Sequence, residues 1–340
     1  MRAPVFKGVG KPLQVETLPD PTPEAGDLVL KIARCGICGT DLHMTDGHAE
    51  TLPVDSVIGH EFTGEVVAIG AGVARFKVGD RVTAMPVVGC GRCANCLAGE
   101  TAWCTSGLIG LTGGYGQYAR TKAHAALRLP ASLSMSDGAL VEPLAVGLHG
   151  VALAQLAPGC RVLVQGAGAI GLAAVYWARR LGAGRIAAMS RSRRGEALAM
   201  QMGASAFVQS GEGAEAALAM ALGGPPDVVF ECIGQPGQLS QATIFVRPRG
   251  TVIILGNCML PDTIYPSLAM FKQLRIQGSM VYSLSEFQAV ADVLDSGHVE
   301  PRAMVTDTVS YAQLPAAFEA LRQPVAQCKV MIDPWKTPAS

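Results

Sequence analysis

The hydrophobic pattern changes character along the chain. From residue 1 to about 145, apolar stretches are short, β-type and separated by Gly and Pro, as in Leu28–Ala33, Glu65–Ile69 and Asp80–Ala84. Such runs bounded by turn residues predict strands, and no long helical pattern interrupts them. This part therefore reads as a mostly β domain, in the manner of a partial barrel. From about 146 the texture alternates. Arg161–Gln165, Arg185–Met189, Asp227–Glu231, Thr251–Leu255 and Arg275–Gly278 read as strands, with helix patterns over Ile170–Leu181 and Gly195–Met202. Strands alternating with helices predict a parallel sheet with right-handed crossovers. After about 282, Ser285–Ser296 and Gln313–Arg322 read as helices and Cys328–Ile332 as a last strand, a tail that packs back on the first domain. The expected division is 1–145 with 283–340, and 146–282.

Composition narrows the function classes. A chain of 340 residues suits roughly two domains at about 150 residues each. With 49% apolar and 16% charged residues it is not a disordered polymer. Basic and acidic side chains balance at 27 each, so no basic field exists to neutralise phosphates, and no nucleic-acid partner is expected. The most apolar stretch, Val162–Ala178, is 17 residues long, contains Gln165 and three glycines, and is fenced by Arg161 and Arg179. A spanning helix wants about 20 unpunctuated apolar residues, so a buried strand, a turn and a buried helix fit better, and no membrane partner is expected. The first ten residues show no signal-peptide pattern, and a cytoplasmic protein is the expectation.

Within the second part, Gly166-Ala-Gly168-Ala169-Ile170-Gly171 follows a strand and opens a helix. In that context the first glycine makes the turn, the second lets backbone approach a pyrophosphate, and the third lets helix and strand pack closely. The helix N-terminus offers free N–H groups to the phosphates. An acidic residue about 20 positions on would accept the ribose 2′-OH of NAD. Ser190 stands there instead, followed by Arg191, Arg193 and Arg194. Guanidinium groups hold a 2′-phosphate that a carboxylate would repel, so NADP(H) is expected over NAD(H).

Ten cysteines in a large chain point to metal rather than disulfides. Cys90, Cys93, Cys96 and Cys104 lie within fifteen residues, a spacing that can close a tetrahedral structural zinc site in a lobe over 88–106, with an iron–sulfur cluster and four incidental thiols as the weaker readings. A second constellation, Cys35-Gly-Ile-Cys38-Gly-Thr40-Asp41-Leu-His43 and then Gly59-His60-Glu61, offers Cys, His and carboxylate donors on two segments. A catalytic zinc keeps three protein ligands and one exchangeable position.

Taken in order and spacing, Cys38 to His43, Gly59 to Glu61, the four-cysteine lobe, Glu142-Pro-Leu144 and Gly166 to Gly171 resemble the zinc-dependent medium-chain alcohol dehydrogenases over nearly the whole chain. The run Glu142 to His149 is closest to the sorbitol and threonine dehydrogenase branch. The resemblance implies an α/β protein: a GroES-like, mostly β catalytic domain wrapped around a doubly wound Rossmann domain, with the active site between them. It implies two zinc ions per chain. Cys38 and His60 would hold the catalytic one, with Glu61 or Glu142 completing the shell, and Asp41 would steer the His60 imidazole. Cys35 would be a buried thiol. Thr40 Oγ would be the first proton carrier and His43 the outer relay. The implied reaction interconverts an alcohol, in the first place a secondary one, and its aldehyde or ketone by hydride transfer with NADP(H). Carbonyl reduction would be the direction favoured by a reduced NADPH pool.

Two other classes remain open at this stage. A polyol or amino-alcohol dehydrogenase shares every motif and differs only in pocket segments, of which Met44–Glu50, Trp103–Leu111 and Cys258–Ile264 are candidates. A zinc- and NADPH-binding protein without turnover is disfavoured by the complete set Cys38, Thr40, His43, His60 and Glu142. By analogy the chain is expected as a homotetramer or homodimer, with an edge strand near Arg275–Met280 available for pairing.

Overall fold

The computed structural model describes residues 1–47, 52–323 and 325–337. His48, Ala49 and Glu50, the end of one candidate pocket segment, lie outside the described residues. The chain forms two compact units, Met1–Glu142 with Tyr282–Ser340, and Pro143–Val281.

The first unit is built on a seven-stranded sheet. Its strands run in the order Ala126–Arg128, Arg81–Ala84, Glu61–Ile69, Asp27–Gly36, Lys329–Ile332 and Val305–Val309, and Tyr118–Lys122 also pairs with Asp27–Gly36. Asp27–Gly36 and Glu61–Ile69 are antiparallel, and Leu28, Leu30, Ile32, Phe62 and Val66 turn into one core with Ile332 and Phe318. A three-stranded sheet, Gln14–Thr17, Arg2–Phe6 and Ser56–Val57, and a two-stranded pair, Val87–Val88 with Ile109–Gly110, complete its β structure. The C-terminal tail does join this unit: Lys329–Ile332 lies inside the sheet beside Asp27–Gly36.

The second unit holds a six-stranded sheet, all parallel, in the order Ala206–Gln209, Arg185–Ser190, Arg161–Gln165, Val228–Glu231, Thr251–Ile254 and Arg275–Gly278. The order reverses at Arg161–Gln165, the strand that feeds the glycine-rich turn, so the turn sits at the switch point where open α/β sheets bind ligands. Val162, Leu163 and Val164 are fully buried, as expected of a strand covered on both faces.

One expectation needs correcting. The β-rich first part does contain helices: Gly39–Asp46, and Met135–Ala154 of 20 residues. Met135–Ala154 is apolar on most sides, with Leu140, Val141, Leu144 and Ala145 all at 0% exposure, so it carries no amphipathic period to detect. It also contains Pro143, which ordinarily ends a helix pattern. Its length and hydropathy would suit a membrane, but 72% of its most apolar window is buried inside the protein.

Candidate metal and cofactor sites

The sheet register assembles the first cluster. Gly36 pairs directly with Glu61, so the residues that follow Gly36 and those that precede Glu61 emerge side by side. Two residues past Gly36, Cys38 caps the helix Gly39–Asp46. Its sulfur accepts from the Thr40 N–H at 3.5 Å, and its own N–H donates to Asp41 Oδ2 at 3.0 Å. A helix N-terminus thus presents free donors to a sulfur that must be negative to ligate metal. His60 lies one residue before Glu61. Donor atoms of Cys38, His60 and Glu61 all fall within 4.8 Å of one another.

Asp41 organises this cluster. It is 1% exposed, and its Oδ1 lies 3.2 Å from His60 Nδ1 while the buried Tyr115 hydroxyl donates to Oδ2 at 2.8 Å. With Nδ1 engaged, Nε2 is the nitrogen left to meet a metal. Burial pushes the Asp41 carboxyl up, but His60 and the Cys38 and Tyr115 donors outweigh it and hold its pKa low. Burial disfavours a charged His60, yet Asp41 and Cys38 raise its pKa well above that of a free imidazole. The pocket therefore attracts positive charge, and a soft thiolate, an imidazole and a carboxylate are the donor set that zinc takes.

Glu142 lies outside that group of three. It sits within Met135–Ala154, 7% exposed, and accepts from the Tyr282 hydroxyl at 3.0 Å. Burial and the Glu61 charge push its pKa up to about 7 against the pull of His60, Tyr282 and Lys329. Thr40 and His43 are one turn apart on the Cys38-capped helix; Thr40 is half-buried, and His43 is exposed with Nδ1 3.4 Å from Asp46. Cys35 is fully buried, its thiol pointing at the Gly36 carbonyl at 3.6 Å.

The four lobe cysteines form the second cluster, again within 4.8 Å. The N–H of Cys90 donates to Cys104 Sγ at 3.2 Å and that of Cys96 to Cys93 Sγ at 3.5 Å. Backbone N–H groups of Cys96 and Thr105 lower the Cys93 pKa to about 5, and those of Arg92 and Cys93 lower Cys90 to about 7. Burial, then the neighbouring sulfurs, push Cys96 up to about 12. Four sulfurs this close ionise together only around a cation. We expect Cys93→Ser to lower zinc content by one per chain and the Tm by several degrees, with kcat changed less than twofold. Metal analysis and thermal unfolding of the purified variant decide it, and an unchanged zinc content would remove the lobe as a metal site.

In the second unit, Gly166 adopts φ +98 and a Cβ on Gly171 would stand 1.8 Å from the Gly166 carbonyl oxygen, so both positions demand glycine. Gly168, the residue before the helix Ala169–Arg180, has an ordinary φ of −82, and a Cβ there would meet nothing within 4 Å. It directly precedes Ala169 and Ile170 at the start of that helix, and a helix N-terminus favours an anionic group such as a pyrophosphate. Ser190 ends the neighbouring strand, and Arg191, Arg193 and Arg194 follow. Arg193 is held by Glu196 at 2.7 Å and packs over Phe207, while Arg191 is exposed.

Known proteins resemble this chain across both units. The model of the alcohol dehydrogenase GroES-like domain matches residues 24–131, and that of the zinc-binding dehydrogenase matches 169–296. Sorbitol dehydrogenase of Bacillus subtilis is 33% identical over 98% of this chain and 97% of its own length. L-threonine 3-dehydrogenase of Saccharopolyspora erythraea is 33% identical over 98% of this chain and 99% of its own. A zinc-binding dehydrogenase from Sinorhizobium meliloti, solved bound to NADP, superposes with a TM-score of 0.87 at 33% identity, covering 98% of this chain and 99% of that one. The chain belongs to the zinc-dependent medium-chain alcohol dehydrogenases. It is a zinc-dependent oxidoreductase of alcohols, with a GroES-like unit and a Rossmann unit.

Three side chains of this dehydrogenase escaped the sequence reading. Tyr115 buttresses Asp41, Tyr282 holds Glu142, and Lys329 donates to both oxygens of Glu61 at 2.6 and 2.7 Å. Their sequence neighbours, Gly114 and Gly116, Val281 and Ser283, and Cys328 and Val330, carry no local mark of such a partner. Only contacts between segments distant in sequence create it, two strands for Lys329 and Glu61, a loop and a helix for each tyrosine.

Proposed function

We propose that this dehydrogenase interconverts a secondary alcohol and its ketone with NADP(H), using two zinc ions per chain. The observation that carries the reading is the Cys38, His60 and Glu61 cluster steered by buried Asp41. Bound there, zinc would supply Lewis acidity to an alcohol oxygen, and the nicotinamide would take the hydride. Cys38 and His60 hold that metal, with Glu61 or Glu142 as third ligand. The Rossmann turn at Gly166, Gly168, Ala169, Ile170 and Gly171 seats the pyrophosphate. Ser190 and the arginines at 191, 193 and 194 receive the 2′-phosphate. The NADP-bound relative supports that choice, as does Arg191, which stands exposed beside a non-acidic Ser190.

Thr40 takes the substrate proton and His43 passes it outward. Thr40 follows Cys38 by two residues, and the exposed His43 lies one turn further along the same helix. Thr40→Ala should then lower kcat by about 10²-fold, within the range of general acid–base catalysis, with NADPH affinity changed less than twofold. Steady-state kinetics beside cofactor titration tests this, and an unchanged kcat would remove Thr40 from the mechanism.

The polyol and amino-alcohol reading rests on the sorbitol and threonine dehydrogenase relatives. A screen of ketones, aldehydes, secondary alcohols, polyols and amino alcohols with NADPH and NADH separates the two. Fastest turnover of a polyol would overturn the simple-alcohol reading. The chain also works as a homodimer or homotetramer. Arg275–Gly278 ends the parallel sheet, and Met270, Phe271 and Met280 nearby are exposed at 64%, 80% and 51%, apolar surface that a second copy would cover.

A further inference from the structure

Lys329 is one of the most deeply buried charges among the described residues. It is 2% exposed and its partner Glu61 is 0% exposed. Its ammonium donates to both Glu61 oxygens, at 2.6 and 2.7 Å, and to the Ile37 carbonyl at 3.2 Å, so all three protons are used. Three strands create the pair. Glu61 lies opposite Gly36, Gly36 lies opposite Met331, and Lys329 shares a sheet face with Met331 because it is two residues away. Gly36 clears the space: a Cβ there would stand 2.0 Å from Glu61 Oε2 and 3.1 Å from Lys329 Cδ. The same carboxylate also lies within 4.8 Å of the donor atoms of Cys38 and His60.

We propose that Lys329 is a positioning residue for the metal. It shares the Glu61 carboxylate with the bound dication and so sets how tightly the Cys38 and His60 centre holds zinc. The proposal rests on reading that centre as the catalytic metal site. A carboxylate offers about four acceptor positions, and Lys329 takes two, which leaves acceptor capacity for a metal at Cys38 and His60. A buried carboxylate must have a counter-charge, because removing one partner of a buried pair strands the other. In the metal-free protein Lys329 is that counter-charge. With metal bound, Lys329 competes with it for the carboxylate and repels it. The pair thus keeps the empty site folded and moderates how firmly the loaded site holds Glu61, which eases exchange at the position that substrate needs.

The sign of the effect separates this role from a structural one. Lys329→Met should lower the stability of the metal-free protein and raise the zinc affinity of the centre at least tenfold. The rise in Tm on zinc loading should grow by roughly 3–6 °C, the equivalent of a tenfold gain in a unit of this size. Zinc affinity is read by competition with a chromophoric chelator, and Tm by thermal unfolding with and without zinc. Glu61→Gln leaves Lys329 facing the metal unpaired and should weaken zinc at least tenfold. Adding Lys329→Met to Glu61→Gln should recover most of that loss. In a Cys38→Ala background, where only the four-cysteine lobe loads, Lys329→Met should leave the zinc-induced Tm rise unchanged. Lys329→Arg should stay within about threefold of the parent affinity. If Lys329→Met does not fold, the Glu61→Gln pair and the arginine variant decide the question. Stability lost equally with and without zinc, or zinc affinity unchanged or lowered in Lys329→Met, would overturn the proposal. A parent protein that loads only the lobe would instead overturn the reading of the Cys38 centre.

Discussion

Cys38→Ser should cut turnover by at least about 10³-fold and halve the zinc content, while the four-cysteine lobe keeps its ion. Lewis-acid stabilisation is worth several kcal/mol, and about 4 kcal/mol corresponds to about 10³-fold in rate. Cys38 offers the sulfur donor of the cluster and also caps the helix that carries Thr40 and His43, so one substitution would touch both the proposed metal site and the proposed proton carriers. Serine keeps a cap but offers zinc a poorer ligand, which is why metal loss and not helix loss should dominate. Asp41→Asn makes a graded comparison. It disturbs the carboxylate that fixes His60 at 3.2 Å, and about 10- to 100-fold in metal affinity or activity is expected. Zinc analysis beside steady-state kinetics reads both. A Cys38→Ser protein with full zinc and near-parent turnover would sink the assignment.

The second large effect concerns cofactor choice. Replacing Ser190 by Asp together with Arg191→Gln should lower the ratio of kcat/KM for NADPH over NADH by about 10²-fold or more. One charged hydrogen bond is worth about 1.5–3 kcal/mol, about 10- to 150-fold in affinity, and the new carboxylate adds repulsion of the 2′-phosphate. Ser190 closes the strand Arg185–Ser190, and Arg191 stands exposed immediately after it, the strand end at which a bound dinucleotide's ribose would be expected. Arg193, already engaged by Glu196 and Phe207, is a weaker candidate for single substitution. A ratio that does not move would place the discriminating contacts elsewhere.

Much of this architecture is legible in the sequence because its signals are local. The Gly166 to Gly171 turn, the four lobe cysteines and the Cys38 to His43 segment each fit within fifteen residues. The strands Arg161–Gln165 and Arg275–Gly278 match their expected bounds. Met135–Ala154 escaped because a helix buried on most sides has no polar face to set its period, and Pro143 lies within it. Lys329 and Tyr282 escaped for the opposite reason. Each is locally ordinary, and each acquires its role from a partner far along the chain, 268 residues away for Glu61 and 140 for Glu142. The choice between Glu61 and Glu142 as a ligand belongs to the same class, since it depends on those partners.

The late position of Lys329 also has a kinetic meaning. Cys38, His60 and Glu61 leave the ribosome early, but the strand that completes their sheet is made 268 residues after Glu61. At about 5–20 residues per second, the nascent site waits on the order of tens of seconds for its counter-charge. Before that interval ends the parallel sheet of Pro143–Val281 is whole and free to fold, while the first unit can finish only after it. A nascent chain arrested before Lys329 would carry its zinc donors on an unfinished sheet, with the Glu61 carboxylate still without its lysine.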